Sequence, residues 1–449
     1  MKKLPVQHVN APLPEIAQGA IIDIFQSELT GINLDHCDAH GENAFFVCDL
    51  AGVYKQVLRW RRELPRIEPF FAVKCNPDPY ILRLFAAMGL GFDCASQPEI
   101  NSVLINSVSP ERIIYANPCK APSFIRHAAR NGVQMMTFDN GDELHKVKRY
   151  HPNAKMVLRI LTDDSSSVCR LGLKFGAPLA DVRSLIRKAK SLNIELIGIS
   201  FHVGSGCTDP SLFADAIRRA KWAFDVAAEE GLQFEFLDIG GGFEEHNFEE
   251  ISGILREAID EHFPLNEKGE GVRIISEPGR YFVSSSFQLA TNIIARRAAK
   301  EDSMTSDSGI DVTPDNTISD EQPVVMYYIN DGVYGAFNCT MFDHRVVHPH
   351  VLTIDGEFVE SNEKVSADAL EPCSVWGPTC DSIDCVQAQA KLPVSLLEVG
   401  DWLRWEEMGA YTVCAASQFN GFRQSEVYYT IDAQGDTAID SIIRGLVEA

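Results

Sequence analysis

Eight short apolar runs, each closing on a polar or glycine-rich turn, constrain the fold of this chain more than any other feature. They are FFAVK (70–74), LGFDCAS (90–96), RIIYANP (112–118), QMMTFDN (134–140), MVLRI (156–160), LIGISFHVGS (196–205), FEFLDIGGG (234–242) and RIISEPGR (273–280). The segments between them space apolar residues three and four apart, as in DPYILRLFAAMG (78–89), PSFIRHAARNG (122–132) and SLFADAIRRAKWAFDVAAEEG (211–231). They open on Asp, Pro or Ser and close on Gly, which is helix-end chemistry. Strand and helix patterns in alternation imply parallel strands with helical crossovers. Eight such units over roughly 230 residues predict an α/β fold, a closed (β/α)8 TIM-type barrel. A doubly wound open sheet is the competing arrangement.

Beyond about residue 283 the pattern changes. VVMYYI (324–329), HVLTID (350–355), DWLRWEEM (401–408), YTVCAAS (411–417) and EVYYTI (426–431) are β-rich segments parted by turn residues, and ENAFFVCD (42–49) offers another strand. The expected division is a barrel over 45–283 and a mostly β second domain from 1–44 and 284–449, with an acidic, Ser/Thr/Asp-rich flexible loop at 300–323. A chain of 449 residues has room for two cores, and 45% hydrophobic with 23% charged residues is ordinary globular composition. A formal net charge of −23 argues against a nucleic-acid partner and suits a cationic small molecule. No apolar run is long enough to span a bilayer, and Lys2 and Lys3 precede a polar, proline-broken segment instead of a signal core. Twelve cysteines scatter without CxxC or zinc-site spacing, so reduced thiols, no metal and a cytoplasmic location are expected.

In a parallel barrel the carboxyl ends of all strands share one face, where active sites lie. Lys74, Asp93, Arg159, His202 with Ser205, Gly240, Gly241 and Gly242, and Glu277 with Arg280 end the runs and should converge there. A lysine desolvated at an apolar mouth, near cations, becomes a nucleophile toward a carbonyl; in isolation it reads as a surface lysine. The glycine run after strand seven and EPGR after strand eight stand where barrels bind phosphate, with backbone N–H groups and Arg280 as the grip. A Schiff-base lysine opposite a phosphate grip is what pyridoxal 5'-phosphate requires, and Glu277 is the acid placed to face its ring nitrogen. Two other readings stay open at this level: Glu277 simply paired with Arg280, and His202 as an ordinary core histidine.

FAVKCN, GFDCAS, HVGSG, DIGGGF, EPGRY, YGAFNC, WGPTCDSID and GDWL with MGAYT, in order from about residue 45 to 423, resemble eukaryotic ornithine decarboxylase. The resemblance implies a pyridoxal-phosphate barrel joined to a β domain, working as a head-to-tail homodimer with active sites shared at the interface. It implies decarboxylation of L-ornithine to putrescine and carbon dioxide, the first step of polyamine biosynthesis. Lys74 would carry the cofactor as a Schiff base, and His202 would stack on its ring. Ser205, Gly242, Arg280 and Tyr411 would hold the phosphate, with Gly240, Gly241 and Gly279 in the binding turns. Glu277 would meet the ring nitrogen, Asp93 and Arg159 would line the site, and Glu99 would support it from behind. Cys380 and Asp381 would reach in from the partner subunit, Cys380 governing protonation at the α-carbon. Asp343 and Asp381 would face the distal ammonium of the substrate, and Phe419 would lie at the substrate end. Lys174 and Asp384 resemble a pair that bridges subunits, and an antizyme-type regulator is a further partner.

This sequence departs from the family pattern in places. Phe342 stands where a tyrosine often precedes the family aspartate, the 300–323 stretch is longer than in animal members, and no long degradation-signalling tail precedes the end at Ala449. The rival of another class is an antizyme inhibitor, a relative that keeps the fold and binds a regulator without turnover; here Lys74, Asp93, Glu277, Arg280, Cys380 and Asp381 all stand. Among enzymes the competitors act on lysine, arginine or diaminopimelate. The second carboxylate of diaminopimelate would be repelled by Asp343 and Asp381.

Overall fold

The computed structural model describes residues 14–39, 41–298, 323–359 and 369–448. The acidic stretch expected as a loop at 300–323 lies outside them apart from Pro323. The chain divides into one unit of Leu50–Ser284 with Asp436–Ala449 and another of Met1–Asp49 with Ser285–Gly435.

In the first unit every apolar run became a strand of one closed parallel barrel: β1 Ile67–Ala72, β2 Gly91–Cys94, β3 Ile113–Tyr115, β4 Met135–Phe138, β5 Lys155–Arg159, β6 Glu195–Ser200, β7 Phe236–Asp238 and β8 Arg273–Ser276. β8 closes on β1 with Ile274 opposite Ile67. Helices cross between successive strands, for instance Pro79–Ala87 after β1, Ser211–Glu229 after β6 and Phe248–His262 after β7. Phe70, Ile114, Met135, Val157, Phe236 and Ile275 form one buried cluster across the barrel strands. At roughly 1.5–3 kcal/mol per fully buried large apolar side chain, such packing decides the fold. Outside the strands, Trp60, Phe248, Tyr281 and Phe282 pack as an aromatic group, with Trp60 stacked on Phe248 at 5.5 Å and Phe248 against Tyr281 at 4.1 Å. That group fixes the short helix Arg280–Val283 and with it the backbone of Arg280.

The second unit is a sheet built around the long strand Phe287–Ala298. Its first half pairs with Phe45–Asp49 and Trp402–Trp405, and its second half with Val325–Ile329. Phe25, Phe45, Val47, Ala290, Leu352 and Trp402 make its core. Two expectations are corrected here. The unit boundaries fall at Asp49 and Ser284, not at 44 and 283, because Phe45–Asp49 is a strand of the sheet; the helix Thr437–Glu448 groups with the barrel, where Arg83 Nη1 donates to Val447 O at 3.0 Å. YTVCAAS is not a strand. Tyr411 is left-handed at φ 57° and Val413–Ala415 is a 3-10 turn, so the period-two pattern has no extended backbone to express it. Among the described residues no helix is long and apolar enough to cross a membrane.

Candidate active site

Lys74 follows β1 in the single 3-10 turn Val73–Cys75. The turn is anchored downstream: Asn76 Oδ1 accepts from Asp78 N, and Asp78 Oδ1 caps the next helix by accepting from Tyr80 and Ile81 N–H groups at 2.9 and 3.1 Å. The CNPDP segment thus sets where the lysine points. Burial among cations was expected, and the structure differs. The Lys74 side chain is 44% exposed, and its ammonium is paired with the carboxylate of Asp93, itself 1% exposed at the end of β2. Behind it, Glu99 Oε2 accepts from Ala95 N at 2.7 Å and closes the β2 turn.

Three further groups stand at the strand ends. Arg159 ends β5, 9% exposed, with its guanidinium 5.3 Å from the Phe175 ring centre. His202 lies after β6 and is half-buried. Its Nδ1 accepts from Gly204 N at 2.9 Å, which leaves Nε2 to carry the proton of the neutral ring. Burial, then Arg159 and Lys74, hold its pKa well below the usual range. Glu277 follows β8; burial first, then the charges of Asp238 and Asp93, push its pKa well above the carboxylate range.

Asp238 ends β7, is fully buried, and was missed in reading the sequence. Its oxygens accept from Gly240 N and Ser200 Oγ, both at 2.9 Å, which favours its charged form. Burial nonetheless raises its pKa. The proton in this pair therefore belongs mainly to Glu277. In the sequence, DIGGG reads as a strand leaving into a glycine turn, and the aspartate gives no sign that it holds that turn.

The turn after β7 has Gly240 at φ 65° and Gly242 at φ 109°. A Cβ on Gly240 would lie 2.3 Å from Phe201 O, and one on Gly242 would lie 2.7 Å from Gly204 O. Only glycine fits at either position. The Gly240 carbonyl accepts from Glu277 N and Ser276 Oγ, each at 2.7 Å, so the turn and the acid move as one. Arg280 is 6% exposed and its Nε lies 3.0 Å from Glu244 Oε1, a second residue missed in the sequence. Ser205 lies in a small ribbon where Ser205–Cys207 pairs with Ser167–Cys169. Gly279 is packed against Cys75.

The residues fit a phosphorylated aldehyde with a basic ring. Asp93 Oδ1 and Glu277 Oε1 are buried without a hydrogen-bond partner, as acceptors awaiting donors. The glycine turn and Arg280 belong to the same strand ends.

Apart from Lys174 in the barrel unit, the remaining expected residues lie in the sheet unit. Tyr334 Oη donates to Asp381 Oδ2 at 2.5 Å, and its ring stacks on Phe419 at 4.3 Å. That hydrogen bond holds the Asp381 pKa below the usual range. Cys380 is exposed, its backbone N–H on Asn420 Oδ1 at 3.1 Å. Asp343 closes the helix Asn338–Phe342 and is 9% exposed. Asp384, expected to bridge subunits with Lys174, is 1% exposed. Its oxygens accept from Val333 N, Thr379 N and Thr379 Oγ1, so its carboxylate is engaged within its own unit.

The family described as "Pyridoxal-dependent decarboxylase, pyridoxal binding domain" matches residues 50–284. An ornithine decarboxylase of Schizosaccharomyces pombe is 48% identical over 420 residues, 93% of this chain and 90% of that protein. An antizyme inhibitor 2 of Xenopus laevis is also 48% identical, over 90% of this chain and 84% of its own length. The crystal structure of an arginine decarboxylase from Paramecium bursaria Chlorella virus superposes with a TM-score of 0.78 at 34% identity, covering 91% of this chain and all of that one. With a glycine turn, a lysine and a buried acid at one barrel mouth, and relatives of this closeness, the chain belongs to the pyridoxal-dependent decarboxylases, among the eukaryotic ornithine decarboxylases.

Proposed function

We propose that this protein binds pyridoxal 5'-phosphate and converts L-ornithine to putrescine and carbon dioxide. The observation that carries the reading is the barrel mouth, where the Lys74 ammonium sits on Asp93 and Glu277 Oε1 is buried and bare. Lys74 is the covalent anchor, Asp93 holds its ammonium in place, and Glu277 faces the ring nitrogen. Ser205, Gly240, Gly241, Gly242, Gly279, Arg280 and Tyr411 hold the phosphate, while Arg159 and His202 line the ring. When bound, the cofactor supplies an electron sink for the pair left behind as carbon dioxide departs. Cys380 governs the proton delivered to the α-carbon. Asp343 and Asp381 bind the distal ammonium by charge-assisted hydrogen bonds worth ~1.5–3 kcal/mol each, with Phe419 beside them.

The working form is a homodimer whose two subunits share each site. Support comes from side chains such as Phe342 (70% exposed), Val346 (72%) and Leu173 (88%), which one chain leaves open. Twelve free cysteines support a cytoplasmic setting, where the product enters polyamine synthesis.

Borohydride reduction of the cofactor-loaded protein should place the adduct on Lys74 in peptide maps, and carbon dioxide release should be fastest from ornithine. An adduct on another lysine, or a higher kcat/KM on lysine, overturns the assignment. Lysine differs by one methylene, worth only ~1–3 kcal/mol, so the two must be assayed side by side. The antizyme-inhibitor relative favours a second reading, a regulator-binding protein without turnover; a sample that stays colourless with added cofactor would support it.

A further inference from the structure

The sheet unit holds several non-glycine residues in the left-handed region, and two of them bracket one short turn. Glu407 and Tyr411, four residues apart, are both left-handed, at φ 55° and φ 57°. An L-residue prefers to leave that region, so something outside the turn must hold it. Thr412 Oγ1 donates to Met408 O at 2.7 Å inside the turn, and Arg345 pairs with the exposed carboxylate of Glu407. The buried tie comes from elsewhere. Asn338, 1% exposed, donates from Nδ2 to Thr412 O at 2.6 Å and to Gly335 O at 2.7 Å. Both partners are carbonyls, so only the amide nitrogen can face them, and the orientation is fixed by chemistry. Asn338 Oδ1 is buried without a hydrogen-bond partner, so both side-chain hydrogen bonds run through the amide's donors.

Asn338 also opens the helix Asn338–Phe342 that delivers Asp343, whose N–H donates to Cys339 O at 3.1 Å. One side chain therefore joins the turn of Tyr411 to the helix of Asp343. We propose that Asn338 is a positioning residue: by bridging Gly335 and Thr412 it holds Tyr411 in its left-handed conformation and sets cofactor affinity through Tyr411 and substrate affinity through Asp343. The proposal rests on the reading of Tyr411 as a phosphate ligand and of Asp343 as a substrate ligand.

The usual preference of an L-residue for leaving the left-handed region corresponds to a competent fraction of about a tenth once the tie is cut. Asn338→Ala should therefore raise the Kd for pyridoxal 5'-phosphate, followed by visible absorbance, roughly ten-fold. At saturating cofactor the KM for ornithine should rise while kcat stays near the wild-type value. Tyr411→Phe should raise the same Kd, and adding Asn338→Ala to it should raise the Kd no further, because the hydroxyl being positioned is gone. A merely structural role would lower Tm and leave the Kd alone. Asn338→Ser covers the case of an insoluble alanine variant: its hydroxyl can reach the Gly335 carbonyl three residues back but not Thr412, and the same rise is expected. Full additivity in the double variant, or an unchanged Kd in Asn338→Ala and Asn338→Ser alongside a raised one in Tyr411→Phe, overturns the proposal. An unchanged Kd in Tyr411→Phe overturns the phosphate reading beneath it.

Discussion

Adding one methyl group to Gly240 tests how the barrel mouth is built. At φ 65° an alanine carries a backbone penalty of roughly 1–2 kcal/mol. Its Cβ would sit 2.3 Å from the Phe201 carbonyl oxygen and 3.0 Å from His202 Cα, both backbone atoms that cannot swing aside. Relief of such overpacking typically costs 1–3 kcal/mol, so a total of about 2–5 kcal/mol is expected. The displaced Gly240 carbonyl holds Glu277 N and Ser276 Oγ, so cofactor affinity should fall together with stability. Urea denaturation and a titration with pyridoxal 5'-phosphate read both effects. Gly253→Ala is the control: it lies inside the helix Phe248–His262, where an added Cβ meets nothing within 4 Å. The same chemical change there should stabilise by about 0.4–1 kcal/mol. A Gly240→Ala protein within 0.5 kcal/mol of wild type, binding cofactor normally, would refute the account of this turn.

Asp331→Asn should stabilise the protein at neutral pH. Burial pushes the Asp331 carboxyl up to about 6, so the folded state holds its proton longer than the unfolded chain, and stability falls as pH rises from about 4 through 6. The amide keeps the acceptor for Gly332 N and Ala336 N and turns a donor toward Ser425 Oγ; a gain of about 1–3 kcal/mol at pH 7.5 that vanishes below pH 4 is expected in denaturant titrations. The proposed homodimer predicts that mixing Lys74→Ala with Cys380→Ala restores part of the activity that each lacks, since one of its two shared sites would be intact; no recovery after confirmed subunit exchange counts against a shared site.

The barrel was legible because burial is periodic. Each apolar run had to bury on both faces, and the polar residue ending it had to emerge at a common rim, which is where Lys74, Asp93, Arg159, His202 and Glu277 lie. Residues that act on other residues were not legible. Asp238, Glu244 and Asn338 each lie within three residues of a glycine, where an acid or amide reads as turn chemistry, and only the folded chain shows that they hold Gly240 N, the Arg280 guanidinium and Thr412 O. The expected environment of Lys74 failed for a related reason. Periodicity says that a strand ends, but not that its last residue lies in a 3-10 turn opposite an acid from β2. The YTVCAAS error is the same problem in reverse, since a left-handed tyrosine held by a distant asparagine leaves no local trace.

The buried acids explain why this mouth is not simply a well-packed end of a barrel. Asp93, Asp238 and Glu277 share a small volume, and a chain selected for stability alone would replace at least one by an apolar or amide side chain. Asp238 has Gly240 N, Ser200 Oγ and the Glu277 carboxyl as hydrogen-bond partners to offset its burial, and Asp93 has Lys74. Glu277 has a neighbour of its own charge type and an oxygen with no donor. Holding a proton on Glu277 is the least costly state for the chain alone, but it leaves that oxygen desolvated, which costs on the order of 1–3 kcal/mol. A cationic ring nitrogen would supply the missing donor and let the carboxylate ionise, reversing the sign of the pair's contribution. On the proposed placement of Glu277 against that nitrogen, the glycine turn that ties it to Asp238 would keep the acid where ionisation becomes favourable only when the site is filled.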